Sequence, residues 1–208
     1  MPLVRVSLDK PESDVISSAA ESLSSGGVLV APTETQYGLL ARADNRAAVD
    51  KVFRIKGRPH GMPVAVFVKD LDAARSIVNF DKDAEILAAR FLPGPMTLVL
   101  PARATLMDSL VKDGKVGLRV SSCPVIRQLL LAVGHPLTAT SANLSGQPAP
   151  VDISGIADSF GDSVDWYLDG GPLTGPPSTV VSTTPVVVHR EGAVSKDEVL
   201  SALGRKET

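Results

Sequence analysis

Lys56-Gly57-Arg58-Pro59 and Ser141-Ala142-Asn143 are the stretches whose residue types best suit chemistry on an anionic substrate. A Lys ammonium is a compact point charge and an Arg guanidinium a rigid fork of donors, so together they can neutralise polyphosphate oxygens. His60 follows within reach. From Lys51 to Lys69 the chain carries five cations (Lys51, Arg54, Lys56, Arg58, Lys69) and no Asp or Glu. A solvated helix face normally interleaves acids with such a run. Their absence, with Gly57 and Pro59 fixing the backbone around the last two cations, favours a phosphate or carboxylate site. Neither G-x-x-x-x-G-K-[ST] nor G-x-G-x-x-G occurs, so phosphate contacts must come from side chains instead of a glycine loop.

Other chemistries are less well served. His60, His135 and His189 are scattered without metal-ligand spacing, and the last two are expected to be structural. Ser141 and Ser145 sit in no G-x-S-x-G elbow, and no Ser-His-Asp order is evident, so these hydroxyls are expected to bind and not to attack. Glu34 is available as a general base, although loop carboxylates are more often solvated or capping groups. The single Cys123 lies between Ser122 and Pro124 with no base nearby in sequence, which predicts a small buried apolar residue.

The elements that must position these groups follow from periodicity. Residues 3–8 read as an opening strand, and a helix from Pro11 carries Val15, Ile16, Ala19, Ala20 and Leu23 on one face before Gly26-Gly27 ends it. A buried strand over 28–31 leads into the polar loop 32–38, and loops after strands are where open α/β sheets bind ligands. Asn45 is a fitting N-cap for a helix with Ala48, Val49, Val52, Phe53 and Ile55 on its apolar face and Gly57 as its stop. Strands are predicted over 64–68, 97–100, 116–120, 137–140 and 164–168, and over 179–181 and 186–189 as a hairpin. Helices are predicted over 71–78, 84–91 and 125–133, with a last one opening on the capping box Ser195 to Glu198. In 116–120 the alternation puts Val116, Leu118 and Val120 on the core face and Gly117 and Arg119 on the other. The expected fold is a single α/β domain, 1–208 with its core over about 12–203, built on a mixed sheet.

Composition sets the outer bounds. With 208 residues, 44% hydrophobic and 21% charged, the chain can bury one sizeable core. No stretch approaches the length of a membrane span and no signal-peptide plan is visible, so a cytoplasmic protein is expected. The rival class is an RNA-binding module, receiving tRNA or duplex RNA on a cationic face, but a net charge of -2 and 4% aromatic residues argue against it. A non-catalytic nucleotide-sensing regulator on the same fold is a further alternative.

Seven motifs carry a resemblance: Pro32 to Leu39 (PTETQYGL), Lys56 to Pro59 (KGRP), Pro93 to Leu98 (PGPMTL), Val116 to Val120 (VGLRV), Ser141 to Gly146 (SANLSG), Pro177 to Val181 (PSTVV) and Arg190 to Ala193 (REGA). In this order and spacing they resemble the YrdC family of threonylcarbamoyl-AMP synthases. The resemblance implies a twisted mixed α/β sheet with an open concave face and flanking helices. It also implies a reaction of ATP, L-threonine and bicarbonate to threonylcarbamoyl-adenylate and pyrophosphate. Mg²⁺ would enter with ATP. The product would pass to the transferase proteins that make N6-threonylcarbamoyladenosine in tRNA, with at most weak tRNA contact here.

Carried over by position, Lys56, Arg58, His60, Asn143 and Arg190 are implied at ATP. Thr33, Arg119, Ser121, Ser141 and Ser178 are implied at threonine, and Lys56, Arg58, Ser141 and Asn143 at the reacting centre. Gln36 stands where an apolar residue is common in the family, Met62 where a polar or basic one is, and Cys123 where His is. No covalent enzyme intermediate is needed, which agrees with the lack of a nucleophile.

Overall fold

The computed structural model describes residues 2–59, 62, 64–103 and 107–206. In chain order the elements begin β1 (Leu3–Arg5), α1 (Ser13–Ser24), β2 (Leu29–Ala31), β3 (Gly38–Leu40), α2 (Arg46–Ile55), β4 (Ala65–Phe67), α3 (Leu71–Ile77) and α4 (Lys82–Phe91). They continue β5 (Met96–Pro101), β6 (Lys115–Arg119), α5 (Pro124–Val133), β7 (Leu137–Ser141), α6 (Ile153–Phe160), β8 (Trp166–Asp169), β9 (Thr179–Thr183), β10 (Val186–Arg190) and α7 (Lys196–Ala202). Capping fixes most helix starts. Asn45, Asp70, Asp81 and Asp152 each accept a backbone N–H of the first turn, and Ser195 with Glu198 closes a reciprocal capping box.

All ten strands join one mixed sheet in the order β1-β8-β2-β3-β7-β4-β6-β5-β9-β10. Four pairs are parallel (β1/β8, β2/β8, β4/β6, β5/β9) and the other five antiparallel. Two elements escape the sequence pattern. The strand β3 is only three residues long and follows directly on the polar loop. The helix α6 is hidden behind Gln147-Pro148-Ala149-Pro150 and Gly155, although Ile153, Ile156 and Phe160 do supply a buried helical face. The opening strand is also shorter than the expected 3–8, with Val6 adding one further hydrogen bond to Asp169 O at 2.8 Å.

Side-chain alternation divides the sheet into two unequal environments. On one face Val66, Leu98, Leu118 and Val181 pack under Ala74, Leu87 and Val199 of α3, α4 and α7. On the same side Val30 and Leu39 pack with Ala48 and Val52 of α2 and Ile156 of α6. On the opposite face α1 and α5 cover the β1-to-β7 half, with Leu23, Ile126 and Leu129 meeting Leu29, Leu40 and Leu137. Over the β4-to-β10 half that second face has no helical cover among the described residues, and there lies a cavity of about 660 Å³.

Candidate functional site

The uncovered face is floored by small side chains. Ala65, Ala139 and Gly117 line it from three neighbouring strands. A Cβ at Gly117 would stand 2.9 Å from the Ala65 Cβ and 3.2 Å from the Thr97 Cγ2, so only glycine leaves this floor undisturbed. Its strand neighbours on the same face are Lys115 and Arg119, as the alternation in β6 requires. Arg58, Arg119 and Arg190 therefore converge on one cavity together with the hydroxyl-bearing Thr33, Ser141 and Ser178.

Arg119 is 6% exposed and tightly held. One Nη2 donates to Thr35 Oγ1 at 2.9 Å and pairs with Glu34 Oε1 at 2.9 Å, and the guanidinium lies 5.4 Å above the Phe67 ring. Glu34 also accepts the Ser121 hydroxyl. This corrects the reading of Glu34 as a general base: its carboxylate, 14% exposed, is a fixed counter-ion. The loop that carries it is tied by Thr33, whose Oγ1 donates to Gln36 O at 2.6 Å and accepts from Thr35 N at 3.1 Å.

Arg190 grips Ser178 with both Nε and Nη2 on the carbonyl, at 3.0 and 2.9 Å, and Nη2 on the hydroxyl at 3.0 Å. Burial, and then the nearby Arg119 charge, push its pKa below the usual guanidinium range. Arg58 is shifted the same way by burial. Guanidiniums desolvated and close enough to repel one another, with one carboxylate among them already paired, make a strong attractor for anions.

Lys56 takes a different place from the one expected. It is 2% exposed, and its Nζ donates to Ser141 O (2.6 Å), Asn143 O (2.8 Å) and Asn143 Oδ1 (3.2 Å). These contacts consume all three ammonium donors. Burial, followed by the neighbouring Arg58, lowers its pKa to about 8. Asn143 is equally committed: Oδ1 also accepts the Ser141 hydroxyl, while Nδ2 donates to Leu144 O at 3.0 Å and Gln147 O at 2.6 Å. Lys56 and Asn143 thus fix the Ser141 loop through their side chains, and neither is among the residues lining the cavity. Gly57, at φ 56°, turns the chain so that Arg58 alone of this motif faces the cavity.

Of the remaining expected residues, Thr33, Ser141 and Ser178 line the cavity, whereas Ser121 lies beneath it, receiving Cys123 N at 3.1 Å. His60 lies outside the described residues. Lys51 pairs with Asp165 at 2.7 Å and Lys69 with Asp70 at 3.9 Å, and of the run's described cations Arg58 lines the cavity. His189, expected to be structural, lines the cavity and meets Ser182 Oγ at 3.0 Å. Gln36 lines it as well, Met62 is 49% exposed, and Cys123 is buried, with burial raising its pKa. Thr35, Lys112 and Lys115 were absent from the expected set. The readable signal for the two lysines was the Asp113-Gly114 pair between them, a hairpin-turn dipeptide.

Among the described residues no helix is long and apolar enough to cross a membrane. Nor do they hold a cluster of three or more His, Cys, Asp or Glu that could bind a metal ion. Among the described residues Asp113 is the one carboxylate lining the cavity, a donor set too sparse to hold Mg²⁺ without oxygens from a bound ligand.

A mixed ten-stranded sheet, helix-covered on one face and over half of the other, with a guanidinium-lined cavity over the remaining half, defines an α/β fold with an open cationic pocket. The chain belongs to the Sua5/YciO/YrdC family, whose model, described as "Telomere recombination", matches residues 21–192. It is 35% identical over 196 residues to a threonylcarbamoyl-AMP synthase of Bacillus subtilis, covering 91% of this chain and 56% of that protein. The structure of Pyrococcus abyssi Sua5 complexed with L-threonine superposes with a TM-score of 0.93 at 31% identity, covering 99% of this chain and 62% of that one. Escherichia coli YciO superposes with a TM-score of 0.88 at 28% identity, covering 95% and 98%. The chain thus spans little more than half the length of the Bacillus relative.

Proposed function

We propose that this protein is a threonylcarbamoyl-AMP synthase, a nucleotidyltransferase acting on ATP, L-threonine and bicarbonate. The observation that carries the reading is the convergence of Arg58, Arg119 and Arg190 on one cavity without an activated nucleophile. The names of the relatives, and the threonine in the Pyrococcus structure, support the choice of substrates. The threonine ammonium gives up a proton to solvent, and its nitrogen then bonds to the carbon of bicarbonate with loss of water, giving an N-carboxy amino acid. One of its carboxylate oxygens then bonds to the α-phosphorus while the bond from that phosphorus to the bridging oxygen breaks, and pyrophosphate leaves with the electron pair. Every reactant is anionic or zwitterionic, so the protein's main task is to hold like charges together.

In this reading Arg119, steered by Glu34 and Thr35, meets the threonine carboxylate beside Thr33 and Ser178. Arg58 and Arg190 offset phosphate charge, and Lys56 acts through the Ser141 loop. Mg²⁺ would travel on the ATP phosphates. The adenylate would pass to the proteins that transfer the threonylcarbamoyl group to tRNA.

The test is pyrophosphate release with ATP, L-threonine and bicarbonate, omitting each in turn. Release is expected only with all three present. Release indifferent to threonine would overturn the reading.

A further inference from the structure

Thr179 is fully buried and has no place in the proposed reaction, yet its hydroxyl makes three hydrogen bonds to the main chain. Oγ1 donates to Val194 O and accepts the N–H groups of Gly192 and Val194, each at 3.0 Å. One donor and two acceptor positions are all that a hydroxyl has, so this one is saturated. The main chain of Thr179 is held as firmly: its N–H donates to Pro95 O at 3.0 Å, and it pairs with Met96 of β5 inside the sheet. Thr179 therefore passes a position fixed in the sheet to the segment 192–194. That segment follows directly on Arg190. A bulge near the end of β10 shifts the register so that Arg190 pairs with Val180, and the chain then turns back over 177–179. Ala193 N–H donates to Pro177 O at 2.9 Å. A Cβ at Gly192 would stand 2.1 Å from that same oxygen, so glycine alone permits the close pass.

We propose that Thr179 is a positioning residue for the reaction: its hydroxyl clamps the 192–194 segment so that the preceding Arg190 is presented to the nucleotide. That Arg190 meets the nucleotide rests on the proposed synthase reading; the clamp rests on the three bonds to the Thr179 hydroxyl. Repulsion from Arg119 works against the placement of Arg190. The bonds of Arg190 to Ser178 and a main chain fixed on both sides of Arg190, by the β10 ladder before it and by Thr179 after it, oppose that repulsion. Without the hydroxyl, two N–H groups and one carbonyl lose their partner, and the return segment is free to drift from Ser178.

The experiment is calorimetric titration of ATP into the full chain, with amide hydrogen exchange at Gly192 and Val194 as the readout of the clamp and turnover measured alongside. Thr179→Val keeps the branched shape and removes the hydroxyl; it is expected to speed exchange at both amides and to weaken ATP binding, each roughly tenfold, with Thr179→Ser restoring both. Thr179→Cys, which keeps a weak donor and serves if the valine variant does not fold, is expected to lose roughly threefold. In an Arg190→Ala background, where ATP binding is already weakened, Thr179→Val should cause no further loss, because the two act as one unit. Thr138→Val removes a comparable bridging hydroxyl from the helix-covered half of the sheet and should keep wild-type ATP affinity. Faster exchange with wild-type ATP affinity in folded Thr179→Val would reduce Thr179 to a structural residue and overturn the proposal, as would an equal loss of affinity with and without Arg190. A loss of ATP binding that depends on Arg190, with no three-substrate turnover by the wild type, would uphold the positioning role and reject the synthase reading.

Discussion

The two halves of the sheet are built from the same alternating strands yet meet different fates. From β1 to β7 both faces are sealed by helices, and the buried polar groups there serve the fold: Thr138 Oγ1 bridges Leu39 O at 3.0 Å and Ala41 N at 2.9 Å. From β4 to β10 one face is left to Thr97, Arg119, Ser178 and Ser182, all at most 6% exposed. Buried polar side chains cost folding free energy unless they are partnered. The open half carries that cost beside a cavity, and the closed half uses its polar groups as fasteners.

The largest expected effect lies at the join. Glu34→Ala leaves the buried Arg119 without its counter-ion and should lower stability by about 3–5 kcal/mol in chemical denaturation. It should also raise the KM for threonine, and an unchanged KM would detach Arg119 from that substrate. Lys56→Met strands the acceptors on Ser141 and Asn143, so stability should fall by about 1–3 kcal/mol as turnover drops. The pH profile separates these two effects. Above pH about 8 the Lys56 amine loses its proton, keeps two N–H groups for three acceptors and loosens the loop, so wild-type activity should decline through that value. The unfolded chain holds this proton up to a pKa of about 10.4. Because the folded pKa is the depressed one, the unfolded state binds more protons between about 8 and 10.4, and the stability contributed by this group rises there. Lys56→Arg should abolish that activity wave.

On the closed half the same kinds of change should be silent in catalysis. Thr138→Val is expected to cost about 1–3 kcal/mol with kcat/KM unaltered. A loss of activity matching that of Lys56→Met would erase the distinction between the halves. Smallest of all, Lys51→Ala breaks a pair with Asp165 whose side chains are 29% and 40% exposed, and should cost under about 1 kcal/mol in thermal unfolding.

Much of this division was readable from local pattern. The two-residue alternation in 116–120 assigned Arg119 to the face away from the core, and Asn45 and Ser195 marked their helix starts correctly. What local pattern could not resolve was direction after a helix end. Lys56 and Arg58 are two residues apart and chemically alike, but the positive φ of Gly57 and acceptors some 85 residues away send one onto the Ser141 loop and the other into the cavity. Glu34 and Arg119 are likewise far apart in sequence, so their ion pair is a product of strand order alone. The helix α6 was obscured by local prolines and is settled by tertiary packing of Ile156 and Phe160.

The most direct test of the account is a crystal structure of the protein grown with ATP and L-threonine. Both ligands are expected on the open half of the sheet, with threonine at Arg119 and phosphates between Arg58 and Arg190. Ligands bound elsewhere, or an open face empty at saturating concentrations, would contradict it.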